Sequence, residues 1–351
     1  MCTRSMWLVH FHSRSPHHNS AQRPHPNPGI LLYMIRALAY SLILAGIAAS
    51  AVAADPTSPV QSAVPAVATQ PAGVKFLRYV DSGPEGSQLQ AAEVTYRNAE
   101  GVSVRLVSAV HIGEESYYQS IAKRFENDEV VLYEMVKPRG MPAPQKGQHS
   151  DHAVSQLQRF LKDKLNLAYQ LDAIDYTRPN FVHADLDAET FEQLQSDRHE
   201  SMASLMLQSM ASALTNPPAG TSGDGATDLL TMLAQPDPER QMKLVLAQQF
   251  DNVEAAAMGL DGPNGSVILS ERNKAVISVL NDTIASGKKQ IAIFYGAAHM
   301  PDLARRIEAL GFKPVSTTWY MAWDVTIRKD EPSMLVRWFG AASQPTTAPA
   351  P

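Results

Sequence analysis

Between residues 93 and 327 the apolar positions fall into short strand-like runs separated by stretches of helical period. Residues 93–98 and 102–110 flank Ala99-Glu100-Gly101, the pattern of a β-hairpin. The second run leads straight into His111, and beyond it Tyr117, Ile121 and Phe125 share one helical face. Residues 129–133 form a short apolar strand that delivers Glu134 at its end. A Pro/Gly-rich loop at 138–147 follows, and then Val154, Leu157, Leu161 and Leu165 mark an amphipathic helix. Residues 180–185 make a further strand candidate carrying His183 and Asp185, and Asp187 is a natural N-cap for the next helix.

The most informative stretch is 290–311. Ile291, Ile293, Phe294 and Tyr295 read as a buried strand that ends in Gly296-Ala297-Ala298-His299, where small residues permit close approach. Pro301 suits the first turn of a helix, Asp302 its positive end, and Gly311 its stop. This is the second unit in which a core strand passes through small residues to a histidine and then to a helix. Asn264-Gly265 marks a turn, residues 267–285 read as a long helix bearing Glu271, Arg272 and Asn273, and 317–327 as a closing strand. Trp319, Met321 and Trp323 are expected on one face of that strand. Strands alternating with helices predict an α/β domain: a mixed, largely parallel central sheet with flanking helices and a helical insertion around 190–260. In the insertion, Met202, Leu205, Met206, Met210 and Leu214 form a methionine-rich stripe, followed by a Gly/Pro/Ser/Thr segment at 215–226 and a helix near 239–250. Two readings of the stripe stand: a helical hairpin filling gaps against the core, or a lid over a site.

Composition changes the picture at the ends. The first 54 residues hold four arginines, five of the eleven histidines, the only cysteine (Cys2) and no acidic residue. From Met34 a short basic start, an apolar run at 38–49 and Ala51-Val52-Ala53-Ala54 match a secretory signal peptide cleaved near Ala53 or Ala54, with Met34 as the expected true start. The competing reading is a retained anchor at 38–54, short against the ~17–25 residues that span a bilayer. Cleavage would remove four positive charges and take the net charge from −5 to −9. It would leave no cysteine, which excludes a disulfide, a thiol nucleophile and a zinc–thiolate site in the mature chain. Residues 55–73 form a Pro/Ala/Ser/Thr linker and 341–351 a similar tail, so the folded domain is expected over 74–340. No basic block points to nucleic acid. The expected location is periplasmic or secreted, without a stable membrane span once the signal is removed.

The candidate chemistry sits at the strand ends. His111, Glu134 and His299 each follow a predicted core strand, and if those strands are parallel neighbours the three side chains converge at one sheet edge, where α/β proteins bind ligands. Two imidazoles and a carboxylate are a partial shell for a divalent metal, with positions left for water. Such an ion would polarise a carbonyl and lower the pKa of bound water. Without it, the trio could serve as general base and acid. Glu134 has a plainer alternative, a salt bridge to Arg272, and the two roles are compatible if Arg272 orients the carboxylate. His183, Asp185, Glu271 and Asn273 are weaker candidates. His149 and His152 flank a loop, and His199 lies in a charged helix; all three are expected at the surface.

Ser108-Ala109-Val110-His111, Val131-Leu132-Tyr133-Glu134, Ser270-Glu271-Arg272-Asn273 and Gly296-Ala297-Ala298-His299 occur in that order. The series resembles the TraB/GumN family, grouped with Tiki-type, erythromycin esterase-like and ChaN-like proteins. Its pattern is a G-T-x-H element, a strand ending in glutamate, an E-R-[DN] helix and a second G-x-x-H element, and the resemblance spans roughly residues 102–325. The first element departs from it, with Ser108 and Ala109 in place of glycine and threonine. They preserve close approach but not a backbone angle that needs glycine. The resemblance implies an α/β fold with histidines and glutamate in one cleft and, from the Tiki-type members, metal-dependent peptide-bond cleavage.

Three functions follow as expectations. The first is an exported metal-dependent hydrolase acting on peptides, with Mn, Co or Zn held by His111 and His299, Glu134 as a further ligand or the general base, and Arg272 as an orienting or oxyanion-stabilising cation. The second is a non-catalytic protein sequestering a small peptide or a haem-like small molecule. The third is a metal-free hydrolase with a histidine base.

Overall fold

The structure is a computed structural model that describes residues 74–83, 86–147, 162, 165–200, 237–250, 254, 257, 261 and 265–326. The leader, the linker, the tail, His149, His152, the methionine stripe and nearly all of the helix expected near 154–165 lie outside them.

The hairpin forms as the sequence suggests. β2 (Gln88–Arg97) pairs antiparallel with β3 (Ser103–Ala109), and Asn98 closes the turn by accepting from the N–H groups of Glu100 and Val102 through its side chain. Gly101, at φ 79°, supplies the left-handed residue that the turn requires. β1 (Leu77–Val80) pairs with the first half of the same β2 edge, residues 88–91, and β3 with the second half. The opposite edge of β2 is covered along its whole length by β9 (Lys313–Asp324).

β4 (Ile112–Gly113) and α1 (Glu115–Arg124) follow β3, and β5 (Val130–Tyr133) comes next. β6 (Ala168–Tyr169) pairs with β4 in a separate two-stranded ladder, and α2 (Gln170–Ala173) follows it. β7 (Phe181–His183) joins β5 in parallel. α3 (Ala188–Arg198) is capped by Asp187, whose carboxylate accepts from the Thr190 N–H at 2.8 Å, the predicted N-cap. α4 (Pro238–Phe250) closes the insertion. The expected long helix at 267–285 is α5 (Arg272–Ala285), entered through a π-turn at Val267–Glu271. β8 (Gln290–Gly296) leads through a 3₁₀ turn at Ala297–His299 into α6 (Met300–Ala309), with Pro301 in its first turn.

The main sheet has seven strands in the order β1-β2-β3-β8-β5-β7, with β9 on β2. β3, β8, β5 and β7 are mutually parallel, and the antiparallel pairings all involve β2. The sheet is thus mixed with all strands but β2 pointing one way, and flanking helices cover both faces. Period-two alternation distributes the core. In β8, Ile291, Ile293 and Tyr295 pack on one face with Val276 and Leu280 of α5 and Leu303 and Ile307 of α6. Ala292 and Phe294 pack on the other with Tyr118 and Ile121 of α1 and Leu246 of α4. A strand buried on both faces reads as a nearly continuous apolar run, as β8 does.

One expectation needs correction. Trp319, Met321 and Trp323 do not share a face. A register shift opposite Leu89 and Gln90 inserts an extra residue at Ala322, so Trp319 packs with the α5/α6 core while Trp323 lies in the α1/α4 core. A bulge reverses the alternation beyond it. Among the described residues, no helix is long and apolar enough to cross a membrane.

Candidate functional site

β8 lies between β3 and β5 although the chain runs from β3 through α1 to β5. α1 packs on one face of the sheet; α5, which leads into β8, packs on the other. α6, which follows β8, packs on that other face too, so the chain leaves the carboxyl ends of β3 and β8 toward opposite sides, the arrangement at which α/β sheets place ligand sites. The register brings their ends level: Ala109 pairs with Gly296, and Tyr133 with Phe294. His111, Glu134 and His299 follow these ends, so the parallel pairing that the sequence required for convergence is present.

His111 sits on a segment held by three consecutive carbonyls. Val110 O accepts from the Tyr118 hydroxyl at 2.7 Å, His111 O from the Gln170 N–H at 2.9 Å, and Ile112 O from the Trp323 indole at 2.7 Å. Buried carbonyls need such partners, and these three fix where the imidazole begins. The sequence points to none of Tyr118, Gln170 and Trp323 as a support for His111, because each comes from a different element and no local spacing links them. Ser108 and Ala109 are regular residues of β3, and the described residues with positive φ that are not glycine are Asn166, His199 and Asp237. Replacing glycine and threonine there imposes no forbidden backbone angle.

Glu134 is almost wholly enclosed, with 8% of its side chain exposed. Its Oε1 accepts from Arg272 Nη2 at 2.8 Å, and its Oε2 from the Gly296 N–H at 2.6 Å. Arg272 reaches back to Asp185, donating from Nε at 3.0 Å and from Nη2 at 2.5 Å. Arg272 and Asp185 are both buried, so the predicted salt bridge is real and is part of an Asp185–Arg272–Glu134 chain. Burial would raise the Glu134 pKa, but Arg272 and the two histidines outweigh it and hold the carboxyl well below its ordinary range. Arg272 is driven the other way: burial disfavours its charge, and Asp185 and Glu134 restore it and raise its pKa. His111 is partly exposed, yet desolvation pushes its pKa down, helped by Arg272 and His299 and opposed by Glu134.

His299 is completely buried. Its Nδ1 lies 2.7 Å from Asn273 Oδ1, its Nε2 lies 3.5 Å from Glu134 Oε1, and among the described residues Nε2 has no hydrogen-bond partner. The point where a β-carbon on Gly296 would stand is 3.3 Å from Glu134 Oε2, 3.8 Å from His111 Nε2 and 3.9 Å from His299 Cδ2. All three predicted donors therefore face one small volume that exists because residue 296 has no side chain. No family model matches the chain, and neither does any curated protein or solved structure. What the site can do is argued from its own atoms.

Counting the described residues alone and with neutral imidazoles, the Asp185–Arg272–Glu134 chain carries one excess negative charge in a buried place. Such a charge is costly unless a cation or a proton joins it. Imidazole nitrogen and carboxylate oxygen suit manganese, cobalt and zinc, and the unpaired buried Nε2 of His299 is the kind of donor that such an ion would occupy. These are donor types that divalent ions take, but among the described residues no group of three or more His, Cys, Asp or Glu side chains is placed to hold a metal ion as they stand.

The weaker candidates divide. Asp185 and Asn273 belong to the cluster through Arg272 and His299. His183 points Nε2 at the Met135 carbonyl, 2.6 Å away, the role of a histidine that ties a loop. Glu271 pairs with Arg198 and Lys274, apart from this chemistry. His199 is the exposed left-handed C-cap of α3.

Proposed function

We propose that this chain is an exported metal-dependent hydrolase of the TraB/GumN type, acting on peptides. The observation that carries the reading is the convergence of Glu134 Oε2, His111 Nε2 and the His299 ring on the space beside Gly296, in a buried cluster with an unbalanced negative charge. His111, His299 and Glu134 would hold the ion, which when bound supplies Lewis acidity and lowers the pKa of a water. The residues of the chain do the rest. Glu134, kept ionised by Arg272, accepts a proton from the attacking water. Arg272, held by Asp185 on its far side, keeps the carboxylate in place and puts positive charge beside the developing oxyanion. His299, Asn273 and Arg272 are buried, which keeps bulk water from most of the cluster and strengthens its electrostatics.

The test is hydrolysis of a mixed peptide pool by the full chain. Turnover is expected to cease with a chelator, to return with Mn, Co or Zn, and to fall in Glu134→Gln by about 10²–10⁴-fold, the scale of a lost general base. Turnover indifferent to both chelator and Glu134→Gln overturns the reading. One observation favours a second reading, a metal-free hydrolase: Arg272 already engages Glu134 Oε1, leaving His299 Nε2 free to act as the base. Chelator-insensitive turnover lost in His299→Gln would select it.

A further inference from the structure

Asn273 sits between His299 and Asp302, and its orientation can be read from its neighbours. Its Nδ2 lies 2.8 Å from Asp302 Oδ2 and 3.4 Å from the His299 carbonyl oxygen. Both are acceptors only, so this end of the amide must be the donor and the other end must be oxygen. That oxygen faces His299 Nδ1 at 2.7 Å. An amide oxygen cannot donate, so Nδ1 must carry a proton. Asp302 is in turn held by Arg306 Nε at 2.6 Å and Arg305 Nη2 at 3.1 Å, which fix its carboxylate on the Asn273 side. Asn273 and His299 are fully buried, so water does not compete for these bonds.

We propose that the Asp302–Asn273 pair is a positioning device that locks His299 in the Nδ1–H form and presents Nε2 to the site as a bare acceptor. The device polarises one way: carboxylate to amide N–H, amide oxygen to imidazole N–H, imidazole lone pair to the site. Reversing the amide would place Nδ2 against Nδ1, force the proton to Nε2 and aim a donor at Glu134. The consequence for ion binding rests on the hydrolase reading above; the tautomer does not.

The test is ¹⁵N spectroscopy of the full chain labelled at histidine, at a pH chosen to give the neutral ring, with His299 assigned by its loss in His299→Gln. Wild type is expected to show a pyrrole-type Nδ1 and a pyridine-type Nε2. Asp302→Asn removes the acceptor that holds the amide, and the Nδ1–H signature should be lost in part or whole. The exchanged pair Asn273→Asp/Asp302→Asn keeps an acceptor on Nδ1 and a donor behind it, and should restore the signature. A pyridine-type Nδ1 in wild type overturns the proposal whatever the variants do. So does an Nδ1–H signature that survives unchanged in folded Asp302→Asn and Asn273→Leu. In parallel, cobalt binding should weaken about 10–100-fold in Asp302→Asn and recover in the exchanged pair, the range for a lost partner behind a ligating histidine. Wild-type chain with the expected tautomer but no cobalt binding would sustain the lock and overturn the metal reading, so the two fail separately.

Discussion

At Gly296 a hydrogen stands where any other residue would place a carbon, and Glu134, His111 and His299 border the space. Its backbone, at φ −56° and ψ 146°, is open to any amino acid, so its value lies in the missing side chain. Gly296→Ala is therefore expected to fold with a melting temperature close to wild type but to lose ligand binding and turnover. A shift of a few tenths of an ångström in Glu134 separates the two effects, and displacements of about 1 Å at catalytic groups cost roughly 10²-fold. Thermal unfolding beside peptide turnover reads both. Arg272 is the opposite case, a residue whose loss the fold itself feels. Arg272→Met would leave Asp185 and Glu134 buried without their cation, and urea unfolding should show a loss of about 3–5 kcal/mol. Glu134 also sets a pH dependence in the chelated protein. Its folded pKa lies below the ordinary value of 4.5, so its contribution is fully present above that value and is lost as pH falls through the acid range. Glu134→Gln should flatten the stability profile below about pH 5; an unchanged acid limb would contradict the assignment.

The elements explain why these residues meet. β3, β8 and β5 end level because they pair in parallel register, and the helices that follow β3 and β8 lie on opposite faces of the sheet. The start of α5 matters too, because Arg272 and Asn273 leave it side by side toward Glu134 and His299. The π-turn before it widens the helix at this point and is held by Ser266, whose hydroxyl accepts from the Leu269 N–H at 3.1 Å. Such turns are frequent at functional sites. The departure at Ser108-Ala109 belongs to this scale as well. Because both are ordinary strand residues, Ser108→Gly, which restores the glycine of the pattern, should not improve the site. It should cost roughly 0.5–1 kcal/mol in stability through added unfolded-state entropy, measured by urea unfolding. A gain in turnover would mean that the strand end needs glycine after all.

Across the whole molecule, the fold and the three central donors were legible because strand, small residue and histidine are consecutive in the chain. The N-cap at Asp187, the hairpin turn and the α6 start were legible for the same local reason. The bulge at Ala322 was not, since it depends on register with β2 rather than on the sequence of β9. Nor were the Tyr118, Gln170 and Trp323 bonds that hold the His111 segment, or the Asp302 contact behind Asn273, because these join elements far apart in sequence. His183 and Glu271 looked equivalent to Asp185 and Asn273 until the packing separated them.

The account stands most directly on whether this site holds a cation. The decisive measurement is the divalent metal content of the full chain after reconstitution with Mn, Co or Zn, beside a His111→Ala/His299→Ala variant of matched fold. One equivalent in wild type and none in the variant is the predicted result. No metal in either, with both folded, would contradict it.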